Sequence, residues 1–330
     1  MPAGDDAGTP AQGCISCIRG AKMVLFITGL CYRNCWYCPL SSERNGVDRA
    51  YANEHPVTTP GEAISVARIM NAEGTGVTGG EPLLRFDRVV SYCRALKQEF
   101  GDEHHIHLYT GRAPDKGTIR AMAGIVDEIR FHPPENTWSL AAESRYAAAV
   151  LTAREEGLSA GFEVPSLPGI GALASSLPFL DFLNINELEW GETNAGSMRA
   201  MGYEPADGVH NAVRGAREWA GDLVGIKKVR WCSSRFKDSV QLRRRLIRVA
   251  RNTARPFEEI TTDGTVLYGV LEPAGSNIRG LPARGRFEYR DGRIEMSWRY
   301  LAGHAPRWRG KKYVIERYPD GGAVLEVTPL

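Results

Sequence analysis

Gly29-Leu-Cys31-Tyr-Arg-Asn-Cys35-Trp-Tyr-Cys38-Pro39 directly follows an apolar, strand-like run, Met23 to Thr28. Its cysteines are spaced C-x-x-x-C-x-x-C. A loop leaving a strand can wrap its backbone around a compact metal centre, and three thiolates at this pitch reach three corners of one iron–sulfur cube. Such cubes are normally held by four cysteine thiolates. No fourth cysteine lies nearby, so one iron is left open for a small molecule, and an open coordination position marks a catalytic metal centre. Spacing alone also fits zinc, because cysteines at short spacing in a reducing compartment often hold that ion. Spacing alone leaves both open.

That second motif is Gly76-Val-Thr-Gly79-Gly80-Glu81-Pro82, again at the end of a strand-like run. Two adjacent glycines let backbone approach a ligand closely, and a carboxylate accepts from an ammonium group. In this order and at these strand ends, the two stretches resemble the radical S-adenosylmethionine (SAM) family. The resemblance implies a [4Fe–4S] cluster on Cys31, Cys35 and Cys38 whose open iron is chelated by SAM, and places the aromatic Tyr37 near the adenine. It implies further that Gly79 and Gly80 line the methionine part of SAM while Glu81 binds its ammonium. One-electron reduction, from a donor such as ferredoxin or flavodoxin, would cleave SAM to methionine and a 5′-deoxyadenosyl radical that abstracts hydrogen.

From Met23 to about Asn186, short apolar runs alternate with helical stretches. Strands are expected at Val24–Thr28, Gly76–Thr78, Ile106–Thr110, Glu128–His132, Gly161–Val164 and Phe182–Asn186, with helices at about 61–72, 86–100, 115–124, 139–156 and 172–178. The helix over 86–100 shows its buried stripe, Phe86, Val89, Val90, Cys93, Leu96 and Phe100, at three- and four-residue steps, which makes Cys93 a core residue. Repeated strand–helix units imply a parallel sheet. Six of them match the partial (βα)6, TIM-like barrel that the resemblance implies, with ligands at the carboxyl ends of the strands. Domain boundaries are expected at 1–20 for an N-terminal extension, 21–235 for the barrel, and 236–330 for a basic helix followed by a small antiparallel β domain.

Other strand ends are candidates for contacts to SAM: Thr110 after the third strand, His132 before two prolines, and Glu163 in a proline-rich stretch similar to that of glycyl-radical activating enzymes. After the sixth strand, Asn184, Asn186, Glu187 and Glu189 form a dense polar set, followed by Gly191-Glu-Thr-Asn194. These read as substrate ligands, as turn caps or as plainly solvent-exposed residues. Gly13-Cys14-Ile-Ser-Cys17 is a separate C-x-x-C, open to a redox pair, half a zinc site or two ligands of a second cluster. With no βαβ unit before it, metal ligation is favoured. Cys232 ends a further strand, Gly225–Cys232. With Cys14 and Cys17 it is expected to form a second metal site, either an auxiliary [4Fe–4S] cluster or zinc.

The 330 residues, 43% of them apolar, suffice for a large domain and a smaller one. No run of 18 apolar residues exists, so no membrane span is expected. The first 13 residues read as a flexible polar tail without a secretory signal. Seven cysteines, three in a motif that works only reduced, point to the cytoplasm. The net charge of +2 hides an asymmetry: residues 226–330 hold 22 Lys/Arg against 11 Asp/Glu, leaving 19 against 28 in residues 1–225. Between Lys227 and Arg255 stand 11 basic residues and the single acid Asp238, which suggests a phosphate-bearing partner. From about Phe257 the Asp-Gly pairs at 263, 291 and 320 announce hairpins, with strands at Val266–Leu271, Gly285–Tyr289, Ile294–Tyr300, Lys312–Arg317 and Ala323–Val327.

The segment from Gly13 to Pro39 and Cys232-Ser-Ser-Arg-Phe-Lys-Asp are also similar to archaeal radical SAM proteins related to pyruvate formate-lyase activating enzyme. Three functions follow as alternatives. The chain is a radical SAM enzyme acting on a phosphate-bearing substrate, RNA or nucleotide; or an activase that installs a glycyl radical in a partner protein; or a non-catalytic iron–sulfur or zinc protein.

Overall fold

The computed structural model describes residues 6–274 and 280–330, with side chains from residue 8 onward; residues 1–5 of the expected tail lie outside the described residues. The chain separates into two compact units, Met1–Arg68 with Ala72–Gln241, and Ile69–Asn71 with Leu242–Leu330.

The first unit begins with β1 (Asp6–Ala7), α1 (Gln12–Ile18) and β2 (Lys22–Phe26), followed by a hairpin of β3 (Ala50–Ala52) and β4 (His55–Val57). Helix α2 (Pro60–Ile69) starts as its sequence dictates, with Pro60 in its first turn and Thr59 and Glu62 bonding each other's backbone N–H reciprocally. Then come β5 (Gly74–Thr78), α3 (Phe86–Phe100), β6 (His105–Thr110), α4 (Lys116–Met122), β7 (Glu128–Phe131), α5 (Arg145–Glu155), β8 (Ser159–Pro165), β9 (Leu183–Asn186), the short α6 (Ala195–Ala200) and α7 (Ala216–Trp219), β10 (Val229–Cys232) and α8 (Ser234–Phe236). Strands β2, β5, β6, β7, β8, β9 and β10 pair in that order, all parallel, and the sheet is extended by antiparallel β1 at one edge and the β3–β4 hairpin at the other. Among the described residues the two edges do not pair, so the barrel is partial and open, as expected. Its seventh parallel strand, β10, is the further strand expected over Gly225–Cys232.

Residue alternation on these strands gives the barrel its two faces. Met23, Leu25, Val77, Ile106, Leu108, Ile129, Phe131, Phe162, Ile185 and Trp231 are buried in the core. On the other face, register aligns Lys22 with Gly74, Gly76 with His107, Tyr109 with Arg130, Glu163 with Asn184, and Cys232 with Asn186. Parallel strands covered on both sides usually read as unbroken apolar runs; here one face is polar, which makes it the wall of a site. Cys93 is fully buried on α3, and burial pushes its thiol up to about 12, in keeping with a core role.

The second unit comprises α9 (Arg243–Thr253), β11 (Glu259–Ile260), β12 (Val266–Pro273), β13 (Phe287–Arg290), β14 (Arg293–Met296), α10 (Trp298–His304), β15 (Gly310–Arg317) and β16 (Val324–Pro329). Its sheet runs β13-β14-β12-β15-β16, all antiparallel, with β11 on β12. Asp291 and Gly292, at φ 49° and 76°, form the expected tight turn between β13 and β14.

Three expectations need correction. Residues 6–13 are not a tail, because Asp6–Ala7 pairs with Cys232 and Trp231 and residue 12 opens α1. The strand expected over 294–300 stops at Met296 and α10 follows, since Leu301 and Trp298 pack over β12 at Gly269, where an added Cβ would lie 2.9 Å from Leu301 Cδ2. The helices expected at 139–156 and 172–178 are partly 3-10 turns, over Glu135–Glu143 and Ile170–Ser176.

Candidate active site

The loop between β2 and β3 carries the three cysteines, and its backbone is bound on several sides. Gly80 N donates to Thr28 O and Glu81 N to Leu30 O, each at 2.8 Å. A Cβ on Gly79 would lie 2.6 Å from Thr28 O, and one on Gly80 2.5 Å from Leu30 O. The glycine pair is therefore required by close packing of the cysteine loop on the end of β5, a reason that the ligand-approach argument did not contain. On the far side, Asn194 Nδ2 donates to Tyr37 O (3.1 Å) and Thr193 Oγ1 to Cys38 O (3.1 Å) and Leu40 O (2.6 Å), while Ser42 Oγ donates to Glu192 (2.8 Å). Gly191–Asn194, open from sequence to substrate binding, turn-capping or plain solvent exposure, does cap a turn, with Gly191 N donating to Asn194 Oδ1 at 2.8 Å, and it also holds the cysteine loop in place.

Cys31, Cys35 and Cys38 project from this loop as free thiols onto a cavity of about 500 Å³, a size suited to small-molecule ligands. Arg33 N–H points at Cys31 Sγ at 3.4 Å, a donor of the kind that steadies a metal-bound thiolate. Among the described residues no three of His, Cys, Asp and Glu are placed to hold one metal ion. A zinc site needs its ligand atoms to converge, each about 2.0–2.3 Å from one point. A cube presents a different iron to each cysteine, so three thiols from one loop need not converge on one point to hold it.

Tyr37, His132 and Glu163 are brought together. His132 Nδ1 faces the Glu163 carbonyl at 2.9 Å and therefore carries the proton, which leaves Nε2 to accept from the Tyr37 hydroxyl, also at 2.9 Å. Burial, then the neighbouring Arg33 charge, lowers the His132 pKa from 6.5 to about 4, so the ring is neutral at pH 7. Burial and the Cys35 thiol push the Tyr37 hydroxyl up. Arg33 Nη1 donates to His132 O at 2.7 Å, crossing from the cysteine loop to the end of β7. Sequence reasoning passed over Arg33, for which nothing but its place between two cysteines gave a signal.

Glu81 is 1% exposed and already accepts three hydrogen bonds: from Leu83 N (3.1 Å), Thr110 Oγ1 (2.8 Å) and Gly111 N (2.8 Å). Burial raises its pKa in spite of these donors. The carboxylate joins the ends of β5 and β6 and retains one of its roughly four acceptor positions for a ligand. Thr110 serves the same joint, donating to Glu81 and accepting from Arg112 N at 3.0 Å.

Below this level the cavity wall is charged. Glu163 accepts from Arg130 Nη1 (2.7 Å), Asn184 Nδ2 (2.9 Å) and Asn186 Nδ2 (2.9 Å). Burial alone would raise its pKa, yet Arg130 and the two amides hold it below the usual carboxylate value. Arg130 also donates to Tyr109 and Glu128, and Lys237 Nζ pairs with Glu189 at 2.8 Å. Lys22, Tyr109, Arg130, Arg230 and Lys237 all line the cavity, and none was singled out from the sequence. For all but Lys237, which follows α8, the signal was present: polar residues alternating along strands that should otherwise be apolar.

The 11 basic residues between Lys227 and Arg255 are in large part engaged internally. Lys228 donates to the Leu177 and Leu180 carbonyls, Arg230 is 3% exposed, and Lys237 holds Glu189. In the second unit, Arg248 Nε caps the carbonyls of Met70 and Asn71 at 3.0 and 2.9 Å, and Arg255 pairs with Glu258, Glu288 and Glu295. These roles remove much of the reason for expecting a polyanion there.

Comparison with known proteins agrees with this geometry. Residues 19–131 match the family described as a 4Fe-4S single cluster domain, and residues 264–330 match DUF8061, a domain of unknown function. A protein of Methanocaldococcus jannaschii, named as a candidate glycyl-radical enzyme activating enzyme, is 39% identical over 274 residues, covering 79% of this chain and 73% of that protein. The chain is thus a radical SAM enzyme, with a [4Fe–4S] cluster of that type. It belongs to the family of this archaeal relative, the radical SAM proteins related to glycyl-radical enzyme activating enzymes. Among solved structures, Streptococcus suis SuiB bound to its precursor peptide SuiA has a TM-score of 0.39 at 13% identity, covering 51% of this chain and 39% of that one. SuiB alone has a TM-score of 0.43 at 11% identity, covering 64% and 49%. The chain spans less than half of SuiB, and these likenesses carry no argument about substrate. Among the described residues no helix is long and apolar enough to cross a membrane.

Proposed function

We propose that this chain is an activase that takes a hydrogen atom from a glycine of a partner protein and so leaves a glycyl radical there. What carries this reading is the identity with the M. jannaschii protein, which extends over most of both chains. The same reading is preferred over an RNA or nucleotide substrate because so many of the basic residues that suggested a phosphate partner are engaged within the fold.

When bound, the cluster on Cys31, Cys35 and Cys38 supplies one electron to SAM, whose cleavage yields methionine and the 5′-deoxyadenosyl radical that becomes 5′-deoxyadenosine on taking the hydrogen. The protein's part is to hold and shield. Thr193, Asn194 and the Gly79-Gly80 pair fix the cysteine loop, Tyr37 and the neutral His132 wall the cavity beside it, and Glu81 keeps an acceptor for a ligand ammonium. Asn186, Glu189 and Lys237 offer donors and acceptors suited to peptide groups of an inserted loop.

The test is anaerobic reconstitution, reduction in the presence of SAM, and addition of a glycyl-radical enzyme from the same genome. The expected result is 5′-deoxyadenosine together with an electron paramagnetic resonance signal of a glycyl radical on the partner. Formation of 5′-deoxyadenosine with every such partner silent, and with RNA modified instead, would overturn the proposal in favour of the phosphate-bearing substrate.

A further inference from the structure

Six of the seven cysteines line the same cavity, and they fall into two triads. One is the SAM loop. The other, Cys14, Cys17 and Cys232, comes from α1 and the end of β10. Helix α1 packs against the inner face of the barrel: Gly13 N donates to Glu128 Oε2 at 3.2 Å, and a Cβ on Gly13 would lie 2.4 Å from His107 Nδ1 and 2.7 Å from Arg130 Nη2. Only glycine permits so close an approach. With Gly13 seated there, Cys14 and Cys17, three residues apart on the helix and so on neighbouring positions of its surface, both reach the cavity.

Each thiol meets a donor or a cation. Cys14 Sγ receives Arg130 Nη2 at 3.4 Å and Asn184 Nδ2 at 3.6 Å. Cys232 Sγ receives Gln241 Nε2 at 3.8 Å and lies within the field of Lys237. Cys17 lies within electrostatic reach of both Lys22 and Cys232. Lys22 lines the cavity as well, within the fields of Cys17, Tyr109 and Glu163. Cations and hydrogen-bond donors gathered around three thiols suit an anionic occupant. Three neutral thiols supply no charge. An iron–sulfur cube on three thiolates does, because the assembly is anionic and its thiolates accept charge-assisted hydrogen bonds.

We infer that Cys14, Cys17 and Cys232 hold a second [4Fe–4S] cluster in the wall of the barrel cavity that the SAM loop also lines, with its fourth iron left for a ligand from the cavity. Zinc is the poorer occupant, since the three thiols do not converge on one ion. The SAM triad does not converge either, and it binds a cube. A disulfide between two of the thiols would leave the third outside the site. The matched single-cluster domain spans residues 19–131 and includes none of these three cysteines. The inference does not depend on the identity of the substrate.

Metal analysis of the anaerobically reconstituted full chain decides it. Wild type should hold about eight irons and as many sulfides, one cube from each triad. Cys31→Ala/Cys35→Ala/Cys38→Ala should retain about half, with the optical and Mössbauer signature of a cube, although it cannot cleave SAM. Cys14→Ser/Cys17→Ser/Cys232→Ser should also hold about half. An iron-free SAM-loop variant would overturn the inference, as would zinc in place of iron in that variant. Because that variant alone is decisive, misfolding of the second one does not obscure the result. The readout is metal content, so its failure is distinct from failure to activate a glycyl-radical partner.

Discussion

His132 shows how one side chain's surroundings set its chemistry. It lies between the Tyr37 hydroxyl and the Glu163 carbonyl, with Arg33 close by; burial and the Arg33 charge favour the neutral ring and outweigh Glu163, which favours the charged one. Its pKa falls from 6.5 in the unfolded chain to about 4 in the fold, so between these values the unfolded state binds more protons. Stability should therefore be unaffected above pH 6.5, decline as the pH drops from 6.5 towards 4, and level off below. His104, lowered to about 4 as well, adds to the same slope. Replacing His132 by Gln should remove only its own share, so denaturant midpoints of wild type and variant should converge as the pH falls from 7.5 to 4.5. Parallel midpoints across that range would show that the ring is not kept neutral by the fold.

At the scale of elements, the decisive contact is between the cysteine loop and the end of β5. Adding a methyl at Gly80 forces it within 2.5 Å of Leu30 O and 2.7 Å of Gly29 O, distances that only backbone movement can relieve. Gly80→Ala should therefore displace the loop while leaving the barrel folded, lowering iron retained at the SAM site and cutting SAM cleavage by more than about tenfold, a loss of some 1.4 kcal/mol in transition-state stabilisation. Unchanged iron content and unchanged cleavage would show that the loop has slack. The same contact explains what was legible in the sequence. The cysteine spacing and the Gly-Gly-Glu-Pro run announce themselves because covalent chemistry and steric limits act locally, and both fell where expected. Arg33, Thr193 and Asn194 did not, since their partners are 99 residues away for Arg33 and more than 150 for the others, and no local pattern encodes such pairings. Tyr109, Arg130 and Asn184 were readable as alternation within strands, but strand boundaries had to be known to within one residue before that period could be used. The end of β14 was misread because Trp298, Arg299 and Tyr300 suit a strand and a helix equally well until Gly269 opens room for one of them.

For the barrel as a whole, Arg130 is the side chain that joins the most parts: Glu128 beside it on β7, Tyr109 on β6, Glu163 on β8 and Cys14 on α1. It is 2% exposed, and the side chains of its two carboxylate partners, Glu128 and Glu163, are 0% and 11% exposed. Taking such charges out of water is costly and is offset only because every guanidinium nitrogen has a partner. Removing the arginine alone strips two buried carboxylates of their main counter-charge, which should cost about 3–5 kcal/mol. Arg130→Leu should accordingly lower the unfolding midpoint sharply and raise its dependence on pH, because Glu163 then loses the neighbour that held its pKa down and must protonate to stay buried. The acid limb of the stability profile should thus invert locally: the variant gains stability relative to wild type as the pH falls through the range where its carboxylates protonate. Adding Glu128→Gln and Glu163→Gln to Arg130→Leu removes the stranded charges, so the triple variant should recover part of the loss, and the cycle should show coupling well above the few tenths of a kcal/mol that separates independent sites. Additive effects would mean that the three side chains are solvated separately and that α1 is held in the barrel by something other than this network.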